Sequence, residues 1–90
     1  GSEMKKTRPC VVVSPNEMNK HLRTIVIAPI TSSSKSYPTR VMIKHIDTKG
    51  WVALDQIRTI DKERIIKIFT ALKNSEIGKL KAVLRETYVD

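Results

Sequence analysis

Three short polar stretches of this sequence contain side chains that could bind and cleave a phosphodiester. Thr7-Arg8 precedes the first apolar run of the chain, Thr31-Ser32-Ser33 follows the second, and Asp55-Gln56 follows the fourth. Arginine offers a planar fork of donors that matches phosphate oxygens, and it keeps its charge at any working pH. Hydroxyl groups can donate to the same phosphate, while a carboxylate and a carboxamide can orient a substrate. These residue types are sufficient for phosphodiester chemistry, although they do not single it out.

RNA is the phosphodiester that such a set could cleave without a metal ion. Its own 2′-OH can act as the nucleophile, so an enzyme needs only to orient the backbone, transfer protons and stabilise the charge on phosphorus. The sequence contains no GxSxG, P-loop or HExxH motif. Its one cysteine, Cys10, and its two widely separated histidines, His21 and His45, argue against a metal site. We therefore expect neither a metal nor a cofactor.

The apolar runs predict the elements that must position these side chains. Residues 9–14 are typical of a strand buried on both faces, with Cys10 as a small buried hydrophobe. Further strands are predicted over residues 24–28, where Pro29 would end the strand, over 39–44 and over 51–54. Residues 47–50 are predicted to form a turn, and residues 31–38 an exposed, serine-rich loop.

The C-terminal part of the sequence predicts one amphipathic helix. Ile77, Leu80, Leu84 and Tyr88 recur at helical spacing, and either Asn74 or Ser75 could cap the helix. Upstream, Thr59 or Asp61 could cap a single turn over residues 62–64. Short strands followed by a terminal helix favour a mostly β fold, a small antiparallel barrel. Alternate strand ends of such a barrel can converge on one rim, so the three polar stretches are expected to line one groove.

The composition indicates a single small domain with a basic surface. The 90 residues include 17 Lys and Arg against nine Asp and Glu, which gives a formal charge of +8 spread along the chain. Such a surface attracts polyanions, with nucleic acid the first partner to consider and an acidic protein the second, although solubility alone could also explain it. No apolar stretch reaches the length of a membrane span, and the lone cysteine agrees with a cytoplasmic location.

Three blocks in order resemble one family: KTRPCVVVSP, IVIAPITSSSKSYPTRV and GWVALDQIRTIDKERI. They are similar to the MazF/PemK (Kid-like) toxins of bacterial type II toxin–antitoxin systems. The resemblance implies an SH3-like (CcdB/Kid/MazF) small antiparallel barrel with a C-terminal helix, formed by residues 1–90 and assembled as a homodimer. It also implies a metal-independent endoribonuclease that cuts single-stranded RNA at short recognition sequences, leaves a 2′,3′-cyclic phosphate, and is neutralised by an acidic, MazE-like antitoxin.

The resemblance also implies roles for individual residues. Arg8 matches the catalytic arginine, Thr31 the threonine that stabilises the transition state, and Glu3 an acidic residue proposed as general base in some members. Asp55 matches an acidic position with a catalytic or RNA-contacting role. The residues expected to bind RNA are Ser32, Ser33, Lys35, Asp55 and Gln56.

The sequence departs from the family pattern at two places. Members begin with a strand of the form GDIxWVDxDPxxG that has no counterpart ahead of Glu3, so the domain is expected to be N-terminally truncated. Gly1-Ser2 also resembles a cloning scar with Met4 as a start codon, in which case the match at Glu3 is accidental. Ala53 occupies a position where Kid-like members place a catalytic arginine. Two alternatives stay open: a noncatalytic, CcdB-like inhibitor of a protein target, and an inactive antitoxin-binding module.

Overall fold

The fold is a curled antiparallel sheet with one C-terminal helix packed against it. The computed structural model describes residues 8–45, 48–69 and 71–89. Its strands are β1 (Cys10–Val12), β2 (Thr24–Thr31), β3 (Arg40–His45), β4 (Thr48–Ala53) and β5 (Arg58–Asp61). Its helices are α1 (Asn16–His21) and α2 (Asn74–Tyr88), and single 3-10 turns occur at Leu54–Gln56 and Lys62–Arg64. No helix in these ranges is long and apolar enough to cross a membrane.

The long strand β2 organises the sheet because it pairs with three other strands. Its first half pairs with β5, from Thr24 opposite Asp61 to Ile27 opposite Arg58. Its second half pairs with β1, and its last two residues pair with β4. Strands β3 and β4 form an antiparallel hairpin along their whole length. A strand that changes partners along its length curls the sheet, so the described strands form a half-barrel.

The core is formed by the inward faces of the strands and by one face of α2. In β3, Val41 and Ile43 are buried while Met42 and Lys44 between them are exposed, which is the alternation expected for a half-buried strand. Ile43, Val52 and Leu54 are the largest fully buried side chains, and Leu80 of α2 completes the cluster. Burying each such side chain stabilises the fold by about 1.5–3 kcal/mol.

Strand β2 differs from its prediction because it continues through Pro29 to Thr31. Proline lacks an N–H donor and usually ends a strand unless that donor is not needed. Here Pro29 lies opposite Cys10 in the register, and the next amide, Ile30 N, donates to Pro9 O at 3.2 Å. The pairing with β1 is therefore kept around the proline, and β2 extends far enough to include Thr31.

The hairpin and the segment after β4 also differ from prediction. Thr48 and Gly50 belong to β4, paired with His45 and Ile43, so the predicted turn over residues 47–50 is wrong for its last three residues. Residues 46 and 47 lie outside the described ranges. The short strand β5 was not predicted at all. Three of its four residues are exposed, so its sequence carries no buried apolar run.

Strand β1 is shorter and more exposed than its apolar sequence predicts. It spans three residues, of which Cys10 and Val12 are exposed and Val11 is half-buried. Among the described residues, β1 pairs with β2 and with no other strand. The prediction of a strand buried on both faces is therefore wrong, and Cys10 is an exposed thiol rather than a buried hydrophobe.

The ends of the helical segments are set by carboxylates. Asp61 caps the second 3-10 turn by accepting from Glu63 N at 2.9 Å, which confirms one of the two predicted caps. Helix α2 is confirmed, but its N-cap position is Lys73 rather than Asn74 or Ser75. The Glu76 carboxylate accepts from Lys73 N at 3.3 Å and from Lys44 N at 2.9 Å. One acidic side chain thus closes the first turn of α2 and joins it to β3.

Candidate nucleic-acid interface

An open groove of about 750 Å³ runs along the end of β2 and across the start of β1. Its polar and charged lining consists of Arg8, Thr31, Ser32, Ser33, Lys49, Gln56 and Arg58. Its apolar lining comes mainly from Pro9, Cys10, Pro29 and Ile30. The groove therefore combines apolar side chains with hydroxyl, amide, ammonium and guanidinium groups.

Strand pairing explains why residues far apart in sequence meet in this groove. The bond from Ile30 N to Pro9 O places Arg8 beside the end of β2, where Thr31 is located. Thr31 in turn lies opposite Trp51 of β4, and the 3-10 turn that follows β4 carries Gln56. The expectation that the three polar stretches share one groove is therefore met for Arg8, Thr31 and Gln56.

The Thr31 side chain is half-buried and held in place at the end of β2. Its Oγ1 donates to the Ser33 carbonyl oxygen at 3.0 Å, which folds the beginning of the serine-rich loop back over the strand end. Ser32 and Ser33 are exposed in the groove. The hydroxyl proton of Thr31 can rotate toward a ligand, because a hydroxyl donates one hydrogen bond in whichever direction it turns.

The groove has a positive charge. Arg8, Lys49 and Arg58 contribute cations, and none of the described residues that line it is acidic. Partial burial raises the pKa of the Cys10 thiol, and the nearby positive charge of Arg58 opposes that shift. Such a surface attracts phosphates through release of their counterions.

Two of these cations, Lys49 and Arg58, were missed by the sequence analysis. Arg58 opens the unpredicted strand β5 and lies opposite Ile27 of β2, which brings it to the groove. Lys49 belongs to the part of β4 that was predicted to be a turn. Their positions depend on strand boundaries that the apolar pattern does not show.

Asp55 lies next to Gln56 in sequence but is not part of the groove lining. Its carboxylate accepts from Arg40 Nε at 2.7 Å and Arg40 Nη2 at 3.1 Å, and from Thr39 Oγ1 at 3.0 Å. The hydrogen bonds from Arg40 lower the pKa of Asp55 to about 2; partial burial opposes this shift, and the bond from Thr39 adds to it. The carboxylate therefore makes a structural ion pair with Arg40.

Of the two remaining candidates, Lys35 is not among the lining residues. Lys35 is exposed in the serine-rich loop, and its carbonyl oxygen accepts from Ser34 Oγ at 2.8 Å. Glu3 lies outside the described residues. Within residues 8–45, 48–69 and 71–89, no group of three His, Cys, Asp or Glu side chains could hold a metal ion.

A curled antiparallel half-barrel with a C-terminal helix is the architecture expected of a small SH3-like toxin barrel, and comparison with known proteins agrees. The family model of the "PemK-like, MazF-like toxin of type II toxin-antitoxin system" matches residues 1–88. The chain therefore belongs to this family, and the expected fold class is confirmed.

Individual relatives support the same assignment. The chain is similar to the endoribonuclease MazF of Staphylococcus epidermidis, at 34% identity over 83 residues, covering 86% of this chain and 69% of that protein. It resembles a mycobacterial endoribonuclease solved in complex with its cognate antitoxin, with a TM-score of 0.81 and 25% identity over 88% of this chain and 78% of that one. It also resembles a MazE–MazF structure from Deinococcus radiodurans, with a TM-score of 0.78 and 26% identity over 89% of this chain and 80% of that one.

Proposed function

We propose that this chain is a metal-independent endoribonuclease toxin that cuts single-stranded RNA at short recognition sequences. The observation that carries this proposal is the convergence of Arg8, Thr31 and Gln56, from three distant parts of the sequence, on one groove in which none of the described lining residues is acidic. Membership in a toxin family that includes a named endoribonuclease supports the same reaction.

In the proposed reaction, the 2′-oxygen of RNA attacks the adjacent phosphorus. A bond forms between the 2′-oxygen and phosphorus, and the bond from phosphorus to the 5′-oxygen breaks. The 2′-OH loses its proton to a base, and the departing 5′-oxygen gains one. The products are a 2′,3′-cyclic phosphate and a 5′-OH, so neither water nor an external nucleophile is consumed.

Arg8 and Thr31 stabilise the charge that develops on the phosphoryl oxygens. The guanidinium of Arg8 donates two parallel hydrogen bonds to these oxygens and neutralises part of their charge. Thr31 turns its hydroxyl proton from the Ser33 carbonyl, 3.0 Å away, to the phosphate. One hydrogen bond is exchanged for another, so the reorientation of the hydroxyl costs little free energy before the transition state is reached. Glu3 is a candidate for the general base.

The remaining polar residues of the groove bind the RNA on either side of the cleaved bond. Lys49 and Arg58 contact neighbouring phosphates, which positions the strand without reading its sequence. Ser32, Ser33 and Gln56 offer hydroxyl and amide groups to the edges of unstacked bases, which is how single-stranded RNA is recognised. We expect base preference to depend on these three side chains.

The same groove is the proposed site of inhibition by an acidic antitoxin segment. An extended peptide rich in Asp and Glu would complement the cations at Arg8, Lys49 and Arg58 and exclude RNA. Two of the structurally similar proteins were solved with their antitoxins, which supports such a partner. We also propose that the active form is a homodimer, which sedimentation of the purified chain would test.

The decisive experiment is a cleavage assay on an unstructured RNA in the presence of EDTA. Arg8→Ala and Thr31→Val should each lower kcat by 100-fold or more, since a missing donor to a developing oxyanion costs about 100- to 1000-fold. Arg64→Ala removes an exposed arginine that does not line the groove and should leave the rate unchanged. A 2′-deoxy substitution at the cleaved nucleotide should abolish the reaction.

Binding can be tested separately from cleavage through the single cysteine. Cys10 is exposed and lines the groove, so bound RNA should slow its reaction with a maleimide. Protection of Cys10 without any cleavage would reject the nuclease proposal and favour an inactive RNA-binding module. Neither protection nor cleavage would favour a noncatalytic inhibitor of a protein target.

A further inference from the structure

The structure assigns to Arg40 the role of a positioning residue that joins the two walls of the groove that carry Ser33 and Gln56. This inference rests on the nuclease function proposed above and concerns how the same groove keeps its shape. Arg40 itself does not line the groove, and its side chain is only 12% exposed.

Each of the two partners of Arg40 is the sequence neighbour of a groove residue. On one side, Arg40 Nη1 donates to Ser34 Oγ at 3.2 Å, and Ser34 follows Ser33. On the other side, Arg40 Nε and Nη2 hold both carboxylate oxygens of Asp55 at 2.7 and 3.1 Å, and Asp55 precedes Gln56. One guanidinium therefore links the serine-rich loop to the 3-10 turn after β4.

The backbone of Arg40 is fixed, so the link has a rigid base. Arg40 lies opposite Ala53 in the β3–β4 hairpin, and Leu54 N donates to Thr39 O at 3.1 Å. The guanidinium carbon also lies over the ring of Tyr37, 5.6 Å from the ring centroid. An arginine whose planar group is held on several sides keeps one orientation, so it can set the separation of the two segments it joins.

The link also removes a negative charge from the edge of an RNA-binding groove. Asp55 would otherwise present a carboxylate beside Gln56, where it would repel the phosphates of a bound strand. Its bidentate pairing with Arg40 balances the charge of this carboxylate, and Asp55 is not among the residues that line the groove. Asp55 therefore acts through Arg40 on the shape of the site and is not itself an RNA ligand.

The test is a double-mutant cycle with Arg40→Gln, Asp55→Asn and both together, assayed on a random-sequence RNA whose cleavage sites are mapped by sequencing. Each single change should raise KM about tenfold and reduce the preference for cognate sites, while kcat stays within about threefold, because the groove walls bind RNA before and during the reaction. The increase in KM and the loss of site preference should be no larger in the double variant than in either single variant, since all three variants break the same link.

Two further variants separate positioning from general stability and from direct RNA contact. The exchange Arg40→Asp with Asp55→Arg should recover part of the lost site preference, because the pair is rebuilt in reverse. Arg64→Gln, an exposed arginine outside the groove, is the matched control and should behave as wild type. Thermal unfolding of every variant identifies any change that acts through loss of fold.

Three outcomes would overturn the inference. Wild-type KM and site preference in a folded Arg40→Gln variant would show that the link is not needed. Losses that multiply to about 100-fold in the double variant would show independent roles for the two residues, as expected if Arg40 contacted RNA directly. A wild-type chain that cuts no RNA would reject the proposed function itself, whereas the first two outcomes leave that function intact.

Discussion

Replacing Gly50 with alanine is expected to disturb Thr31, although Gly50 itself does not line the groove. Gly50 belongs to β4, and a Cβ at this position would lie 2.5 Å from the backbone oxygen of Thr31 and 2.8 Å from Cγ2 of Ile30. An ordinary contact needs at least 3.4 Å, so the end of β2 must move away from β4 by about 0.9 Å. The obstacle is backbone, which no side-chain rotation can relieve.

The expected losses follow from that displacement. Forcing an extra methyl group into a packed contact costs about 1–3 kcal/mol of unfolding free energy. If Thr31 has the catalytic role proposed above, displacing its hydroxyl by nearly 1 Å lowers activity on the order of 100-fold. Gly50→Ala should therefore reduce kcat far more than its loss of stability alone explains, because most molecules remain folded at assay temperature.

Chemical denaturation and RNA cleavage, measured on the same preparation, check this prediction. Gly78→Ala is the matched control, because a Cβ at Gly78 of α2 meets no atom within 4 Å. Alanine in a helix interior should raise the unfolding free energy by about 0.5–1 kcal/mol and leave cleavage unchanged. A Gly50→Ala variant with wild-type stability and wild-type cleavage would refute the reasoning, and with it the role of this close approach in placing Thr31.

Three further predictions concern stability. Tyr88→Phe removes the hydrogen bond in which Tyr88 OH donates to Leu54 O at 2.5 Å, and it should lower the free energy of unfolding, measured by urea denaturation, by about 1 kcal/mol. Ile43→Ala removes most of a side chain that is 1% exposed, and it should lower the free energy of unfolding by about 2–5 kcal/mol in the same measurement. A smaller loss would mean that the core collapses around the gap. Because the pKa of Asp55 is lowered, its carboxylate stabilises the fold above about pH 4, and this stabilisation is progressively lost as the pH falls toward 2. Asp55→Asn should remove this part of the acid dependence in a pH series of thermal melts. An unchanged profile would contradict the prediction.

Several elements could be read from the sequence because their cause is local. Strand β3 follows from alternation in which Val41 and Ile43 face the core, and α2 follows from apolar residues at helical spacing. The three polar stretches stand out because each interrupts or borders an apolar run. These features depend only on neighbouring residues, so no knowledge of distant contacts is needed to find them.

Other features were decided by the tertiary structure. The extension of β2 past Pro29 depends on two neighbouring segments, because Ile30 N donates to Pro9 O just before β1, while Ile30 and Thr31 pair with β4. Strand β5 exists because β2 offers it an edge, not because its own side chains are apolar. That pairing also brings Arg58 into the groove.

Asp55 shows for a single side chain that the sequence alone does not determine which residue it contacts. Its position beside Gln56 indicates a role in the groove, but its direction depends on Arg40, which is 15 residues away in sequence. The alternation of strand β3 and the periodicity of α2 follow directly from the order of the residues. Which cation a carboxylate meets is set by the pairing register of two strands, because a shift of one residue would turn Arg40 to the other face of the sheet.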